Sequence, residues 1–161
     1  MKNKFSINLE VTLVEIILSV LIFAIAGVIS LNCFFIARFT QIKANDKVIA
    51  GNLIQSNIEI IKSLNSSDEA EDFLLHNFKL LKSENNVHTY INFYDKSWKL
   101  SNDVDNEYFI TVNISDEFSN NGTLMDIELI AERIKPYPFL NKNNNNQAIY
   151  TIETNKFFPS Y

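Results

Sequence analysis

Cysteine, glycine and proline are scarce in this chain, with one, three and three occurrences among 161 residues. The single Cys33 excludes a disulfide within the chain and any metal site built from several thiolates. So few glycines and prolines exclude a collagen-like repeat and a Pro/Gly-rich disordered linker. Length and composition therefore indicate one globular domain with an extension.

Positive charge is also scarce in the later part of the chain. From residue 65 onward the sequence has fifteen acidic and eight basic residues. An acidic surface repels phosphate backbones, and no basic stripe with interleaved aromatic residues occurs. We therefore predict that the protein does not bind nucleic acid directly.

The sequence patterns of catalytic and metal sites are missing as well. There is no G-x-S-x-G, phosphate-binding loop or H-E-x-x-H motif. Of the two histidines, His76 and His88, the first lies on a predicted helix and is better explained as a surface residue than as a ligand. Residues 102–107 (NDVDNE) carry oxygen ligands at alternate positions, but without the glycine and terminal glutamate of a calcium loop they favour a solvated turn. We predict no enzymatic activity, no cofactor and no metal site.

Long hydrophobic runs occur once, near the N-terminus. Residues 16–37, called here the apolar segment, contain no charged residue between Glu15 and Arg38. As a helix these residues span roughly 33 Å, enough to cross a bilayer core of about 30 Å. A cleaved secretory signal would be shorter and end in an A-x-A-like site, and the residues around Cys33 do not match a lipoprotein signal. A retained transmembrane helix fits best. Lys2 and Lys4 precede it, which predicts a cytoplasmic N-terminus and an extracytoplasmic remainder.

The predicted transmembrane helix has one face of mostly small and polar residues. Stepping at the helical period from Thr12 gives this packing face: Thr12, Glu15, Ser19, Phe23, Ala26, Ser30, Cys33 and Ala37. Such residues allow close helix packing in lipid, although Ser, Ala and Gly are also common in membrane helices generally. Glu15 lies on this face, either as an interfacial residue or as a charge that awaits a partner from another helix.

Helical periodicity continues beyond the apolar segment. The apolar residues form one stripe, while Asp46 and Asn57 lie off it: Phe39, Ile42, Ile49, Leu53, Ile60 and Leu64. We predict one helix over residues 11–64, whose second half needs a soluble layer to cover its stripe. A second helix is predicted over residues 70–82, capped by Ser66 with Glu69 or by Asp68 with Glu71.

Several downstream segments alternate apolar and polar residues, as β-strands do. They cover residues 88–94, 97–100, 107–114, 123–134 and 148–154, and Asn121-Gly122 marks a hairpin between two of them. The sequence therefore predicts an α+β fold. A long N-terminal helix, transmembrane in its first half, packs its second half against a C-terminal antiparallel meander of four or five strands.

The segment VTLVEIILSVLIFAIAG, residues 11–27, resembles the class III signal of type IV pilins and of type II secretion or competence pseudopilins. Their shared pattern is a short basic leader, a glycine, then F-T-L-x-E and an apolar helix. Thr12, Leu13, Val14 and Glu15 match this pattern, and LIFAIAG at 21–27 is similar to the minor subunits. The rest of the chain is similar to the family only in its predicted architecture.

The resemblance implies a structural subunit of a pilus or pseudopilus in the cytoplasmic (inner) membrane. A prepilin peptidase would cut between Glu10 and Val11, the amine of Val11 would be methylated, and Glu15 would pair with the terminal amine of a neighbouring subunit. The implied partners are other pilin or pseudopilin subunits, the peptidase, the assembly platform membrane protein and membrane lipid.

The implied domains are a leader (residues 1–10), a transmembrane helix half (11–37), its amphipathic continuation (38–64) and a pilin-like head (65–161). Packing between subunits would use Thr12, Ser19, Ala26 and Ser30.

The chain departs from the family pattern at two adjacent positions. Glu10 occupies the place of the glycine, and Val11 that of the first phenylalanine. A bulky carboxylate at the glycine position disfavours cleavage. An uncleaved, membrane-tethered binding domain that never enters a filament is therefore the alternative interpretation.

Overall fold

The computed structural model describes residues 4–84, 86–101, 106–138 and 148–160, with only the backbone for residues 4–11. Two helices and five strands follow one another along the chain: α1 (Lys4–Ser63), α2 (Ser67–Asn77), β1 (Lys79–Glu84), β2 (Val87–Tyr94), β3 (Tyr108–Ser119), β4 (Gly122–Arg133) and β5 (Ala148–Pro159). The chain divides into two compact units, Met1–Gln41 and Ile42–Tyr161.

The first unit consists of the N-terminal part of α1. Every described side chain from Thr12 to Arg38 is exposed, and large apolar residues cover most of the helix surface outside the packing face, on which Phe23 is the one large apolar residue. A helix this apolar and this exposed requires an apolar environment. By length and composition α1 can span a membrane, in agreement with the prediction for the apolar segment.

The second unit is a five-stranded antiparallel sheet in the order β1-β2-β3-β4-β5, packed against the part of α1 after Gln41. The predicted α+β architecture and meander are confirmed. Alternate residues of β3 and β4 are buried, and they form the core with α1 and α2: Tyr108, Ile110, Val112, Ile114, Met125, Ile127, Leu129 and Ala131. The period of two places these side chains on one face of the sheet.

The helix face that meets the sheet differs from the predicted stripe. The buried residues of α1 in this unit are Asp46, Ala50, Ile54, Ile58 and Ile61. Ile49 and Leu53 of the predicted stripe are only partly buried, and Ile42 and Ile60 are exposed. The prediction was wrong by roughly a quarter of a turn, because it sought apolar side chains alone and the sheet also accepts the small Ala50 and the polar Asp46.

The second helix ends earlier than predicted. α2 stops at Asn77, and residues 79–84 form the edge strand β1 instead of the last turns of a helix. The predicted Ser66 cap is confirmed, since its hydroxyl accepts a 3.2 Å hydrogen bond from the backbone N–H of Glu69. The Glu69 carboxylate accepts the N–H of Asn65 in return, at 2.9 Å. β1 pairs with β2 through a register shift between Leu80 and Lys82, and sequence periodicity does not reveal such pairing between strands.

The segment 97–100 is a turn, not the predicted strand. The Asp95 carboxylate accepts the backbone N–H groups of Ser97 at 2.7 Å and Lys99 at 3.0 Å, and only Leu100 forms an isolated bridge to Tyr94. This side-chain capping competes with a strand ladder, as Asp commonly does in turns.

Two contacts stabilise the end of the sheet that carries the β3–β4 hairpin. Ser119 and Gly122 pair across the predicted β3–β4 hairpin, which is confirmed. The ammonium of Lys156 on β5 donates hydrogen bonds to the carbonyl oxygens of Lys62 and Leu64. A cation on the unpaired carbonyls at the end of α1 stabilises that helix end and joins it to the sheet.

Candidate assembly surface and a buried aspartate anchor

The candidate assembly residues lie in the first unit, on α1. Thr12, Glu15, Ser19, Ala26 and Ser30 are all exposed. The first three line a shallow groove along the helix with Ile16 and Val20. The spacing of three to four residues brings Thr12, Glu15 and Ser19 to one face.

Glu15 forms no ion pair with any residue that the structure describes. It is the one carboxylate between Thr12 and Arg38. Gly27, beside the packing face, has nothing within 4 Å of the position that a Cβ atom would occupy. Contacts within the described chain therefore do not require a glycine at this position.

The predicted cleavage position falls at the limit of what the structure describes. Glu10 and Val11 lie within the backbone of α1, but their side chains are outside the described residues, as is the whole of residues 1–3. The peptide bond between Glu10 and Val11 therefore lies in helical backbone.

The second unit contains a polar centre that sequence reasoning missed. Asp46 on α1 is only 4% exposed, yet its carboxylate accepts three hydrogen bonds from aromatic side chains. Oδ1 accepts the indole N–H of Trp98 at 3.3 Å. Oδ2 accepts the phenol hydroxyls of Tyr108 at 2.9 Å and Tyr137 at 2.6 Å. Hydrogen bonding on this scale is what allows a carboxylate to remain in a protein interior.

Trp98 reaches Asp46 from a constrained backbone position. Its φ is 59°, which is uncommon for a bulky residue, and its N–H donates to the Asp95 carbonyl at 3.0 Å. The indole stacks on Tyr108 with ring centroids 4.1 Å apart and also contacts Tyr94 at 6.0 Å. The turn held by Asp95 therefore sets the tryptophan against both the helix and the sheet.

Arg133 completes this aromatic cluster from β4. Its guanidinium lies 4.3 Å from the ring centroid of Tyr137 and 5.7 Å from that of Tyr108, and it pairs with the Glu107 carboxylate. Burial lowers the pKa of Arg133, but the Glu107 hydrogen bond and the charges of Tyr108, Glu107 and Tyr137 together outweigh it and leave the pKa above its usual value. Arg133 therefore stays charged and polarises the two phenol rings.

The phenols around Asp46 are strongly held in the protonated form. Burial, followed by the hydrogen bond and the charge of Asp46, raises the pKa of Tyr108 and of Tyr137 well above the usual value of tyrosine. Two neutral phenols and an indole can therefore serve as permanent donors to the carboxylate. The arrangement joins α1, the Trp98 turn, β3 and the residues after β4, and it offers no nucleophile or open acid–base pair.

A signal for Asp46 was present in the sequence. Asp46, Ala50, Ile54 and Ile58 recur every four residues, and this row would have predicted the buried face had Asp46 been admitted as a buried residue. Its donors could not be predicted, because Trp98, Tyr108 and Tyr137 lie 52, 62 and 91 residues away along the chain.

The outer face of the sheet carries a second polar region. A shallow concavity there is lined by residues that include Asn113, Asp126, Glu128 and Glu153. Thr89 donates to the Asn113 side-chain oxygen at 2.9 Å, and Asn113 donates to Glu128 at 2.8 Å. Glu128 and Glu153 face each other across β4 and β5 without a cation between them among the described ion pairs. Carboxylates and amides therefore make this part of the outer face polar.

The remaining candidates are the two histidines and the segment 102–107. His76 bonds the Asp72 carbonyl oxygen at 2.8 Å within α2, and His88 contacts the Ser83 hydroxyl at 3.0 Å. No group of three His, Cys, Asp or Glu residues suited to a metal occurs in the described part of the chain. Of the segment 102–107, residues 102–105 lie outside the described residues.

Comparison with protein-family models, curated proteins and solved structures finds no match to this chain.

Proposed function

We propose that this chain is a minor pilin or pseudopilin, a structural subunit that assembles with similar subunits through its N-terminal helix. The observation that carries the proposal is the position of Glu15. It is a lone carboxylate in the T-L-V-E sequence, exposed on a helix whose following 22 residues carry no charge.

The energetic cost of Glu15 supports a partner from another chain. A carboxylate within a membrane helix costs up to about 3 kcal/mol on insertion scales, and less near the interface. A cation in contact with the carboxylate offsets this cost, and the described residues provide none. The terminal amine of a neighbouring processed subunit, at the same depth in the bilayer, is the cation that the resemblance provides.

Close approach of a second helix is supported by the residues beside Glu15. Ser19, Ala26 and Ser30 follow it on one face, and Gly27 has open space around its missing Cβ. Small side chains let two helix backbones approach in lipid, where packing and polar contacts replace the hydrophobic effect.

The proposed location is the cytoplasmic (inner) membrane, crossed once, with the N-terminus in the cytoplasm. The resemblance supports this orientation more than charge does, because Arg38, Lys43 and Lys47 follow the apolar segment while Lys2 and Lys4 precede it. A cysteine placed at the exposed Ser97 in a Cys33→Ser background should react with a membrane-impermeant maleimide in intact spheroplasts. Labelling only after lysis would contradict the orientation.

The role of Glu15 can be tested by crosslinking in cells that hold the assembly machinery. A photo-crosslinking residue at Ser19, on the same helix face, should capture neighbouring subunits in the wild type. Glu15→Ala should lower the crosslinked yield about tenfold, as expected for the loss of a buried charge pair. Glu59→Ala removes an exposed carboxylate later on α1 and serves as the matched control. Equal yields for Glu15→Ala and wild type would exclude the assembly role.

A second candidate function is a membrane-tethered binding domain that keeps its leader. Glu10 in the glycine position favours it, since the peptidase of the resembled family cuts after glycine. The mass of the N-terminus, in cells with an active prepilin peptidase, separates the two. Loss of ten residues with a methylated Val11 supports the assembly subunit, and an intact leader supports the tethered domain. Glu10→Gly should increase cleavage in either case if the signal is otherwise functional.

A further inference from the structure

Exposed lysines gather at one end of the second unit, called here the basic end. They come from three separate parts of the chain: Lys43, Lys47, Lys96, Lys99 and Lys135. Lys43 and Lys47 flank Asp46 on α1. Lys96 and Lys99 lie in the turn whose Trp98 bonds Asp46. Lys135 follows the end of β4, two residues after Arg133.

The positive charge of the basic end is only partly compensated. None of the five lysines forms an ion pair in the described part of the chain. Of the carboxylates nearby, Asp46 is buried and Glu107 is paired with Arg133. Asp95 accepts two backbone N–H groups, which together with the charges of Lys99 and Lys96 hold its pKa below the usual range. Asp103, Asp105 and Lys142 lie outside the described residues.

The opposite end of the unit is acidic. Asp68 and Glu71 on α2 lie close enough to Asp116 on β3 to raise its pKa, after the larger effect of burial. Glu117 follows at the same end of β3 and is exposed. Several carboxylates therefore lie towards the β3–β4 hairpin, where Lys156 is occupied with the carbonyl oxygens of Lys62 and Leu64, and the exposed lysines of the basic end lie towards Asp46.

The basic end is the end at which the chain enters the unit. The second unit starts at Ile42. Arg38 is the first residue after the apolar segment, and Lys43 lies five residues further along the chain. Five residues of helix rise about 8 Å, which is within one Debye length of about 10 Å in physiological salt. A bilayer around the apolar segment would therefore bring its headgroups within electrostatic reach of Lys43, the first lysine of the basic end.

We propose that the basic end rests on the bilayer surface and binds anionic lipid headgroups. Clusters of four to eight cations next to a membrane helix are attracted to anionic lipid with roughly additive strength. The cations are all lysines, which act as hydrated point charges and do not need the fixed two-pronged geometry that arginine offers to a defined carboxylate partner. Five lysines from three separate parts of the chain suit a fluid layer of phosphates. This inference concerns the membrane alone and does not rest on subunit assembly.

The full chain reconstituted in vesicles tests the proposal by energy transfer. A donor dye is attached at Ser97→Cys in a Cys33→Ser background, and an acceptor dye is carried on a small fraction of lipid headgroups. Transfer should rise about twofold when phosphatidylglycerol replaces part of the phosphatidylcholine, and added salt should reverse the rise. Inorganic phosphate at matched ionic strength should not reproduce the effect of the lipid. Trp98 fluorescence confirms in each sample that the second unit is folded.

A matched pair of variants separates the basic end from net charge. Lys96→Gln/Lys99→Gln removes two charges from the basic end, and Lys79→Gln/Lys82→Gln removes two from the exposed edge strand β1. The first pair should abolish most of the lipid-dependent rise and the second should leave it unchanged. Equal transfer in neutral and anionic vesicles, or equal losses in the two pairs, would overturn the proposal.

Discussion

The phenol of Tyr137 donates a 2.6 Å hydrogen bond to the carboxylate of Asp46, across 91 residues of chain. Tyr108 donates to the same oxygen atom and Trp98 to the other. A carboxylate 4% exposed is stable in the interior only while these donors satisfy it. We therefore expect Asp46 to fix how the part of α1 after Gln41 lies on the sheet, because its hydrogen bonds are directional and the apolar contacts of Ile54 and Ile61 are not.

Replacing this carboxylate should destabilise the second unit. Asp46→Ala leaves three buried donors without an acceptor and should lower the free energy of unfolding by about 3 kcal/mol. Asp46→Asn retains one carbonyl acceptor and should cost less. Urea unfolding of the chain in detergent, followed by the single Trp98, measures both changes. Asn45→Ala, at the exposed preceding residue, should leave the midpoint unchanged or slightly raised. A midpoint for Asp46→Ala equal to that of wild type would contradict the anchor role.

Alkaline pH should unfold the second unit through the same phenols. The pKa values of Tyr108 and Tyr137 are raised in the folded state, so only the unfolded state loses these protons just above pH 10. Their contribution to stability is fully present below about pH 10 and declines as the pH rises further.

The decline can be measured as a slope of unfolding free energy against pH. Wild type should release about two more protons on unfolding above pH 10 than Tyr108→Phe/Tyr137→Phe does. Absorbance of ionised tyrosine should increase together with loss of the folded signal. Identical slopes for the two proteins would show that these phenols titrate normally.

The fold could be predicted from patterns that are local in sequence. The long helix, the Ser66 cap and the Asn121-Gly122 hairpin depend on residues within a few positions of one another, and all three are confirmed. The predictions were wrong where contacts between distant parts of the chain determine the secondary structure. β1 is a strand because β2 pairs with it, and 97–100 is a turn because Asp95 caps it.

Glu15 and Asp46 also differ in whether neighbouring residues in the sequence reveal them. Glu15 could be singled out from the sequence because a charge in an apolar run is visible without a structure, and its assembly role stays a prediction. Asp46 looked like an ordinary surface residue of an amphipathic helix, since its burial depends on donors that arrive from β3 and from two connections. The charges near a carboxylate in the sequence do not predict its burial when its hydrogen-bond donors are neutral side chains far away along the chain.

Gly122 is predicted to tolerate no side chain. Its φ of 148° is a region that other residues rarely adopt, and an added Cβ atom would clash with the Phe158 carbonyl oxygen and lie 2.9 Å from the Cα of Pro159. Gly122→Ala should cost about 3 kcal/mol or more and loosen the pairing of β4 with β5. Asn121→Ala, at the exposed neighbouring position, is the control. Urea midpoints compare the two, and amide exchange along β5 locates the damage. Unchanged exchange in Gly122→Ala would show that the hairpin can adapt.

Asp116 is predicted to oppose folding at neutral pH. One of its side-chain oxygens is buried without a hydrogen-bond partner. Burial and the nearby Glu71 and Asp68 raise its pKa, while His88 acts in the opposite direction. Because the folded pKa lies above the unfolded one, the stability that this group contributes is present at acid pH and is lost as the pH rises through the folded pKa.

Asp116→Asn should therefore raise the thermal midpoint at pH 7, and the gain should disappear below about pH 4. Asp126→Asn, exposed on the outer face of the sheet, removes the same charge without this burial. Equal midpoints for both variants at pH 7 would attribute the gain to net charge and exclude the local effect.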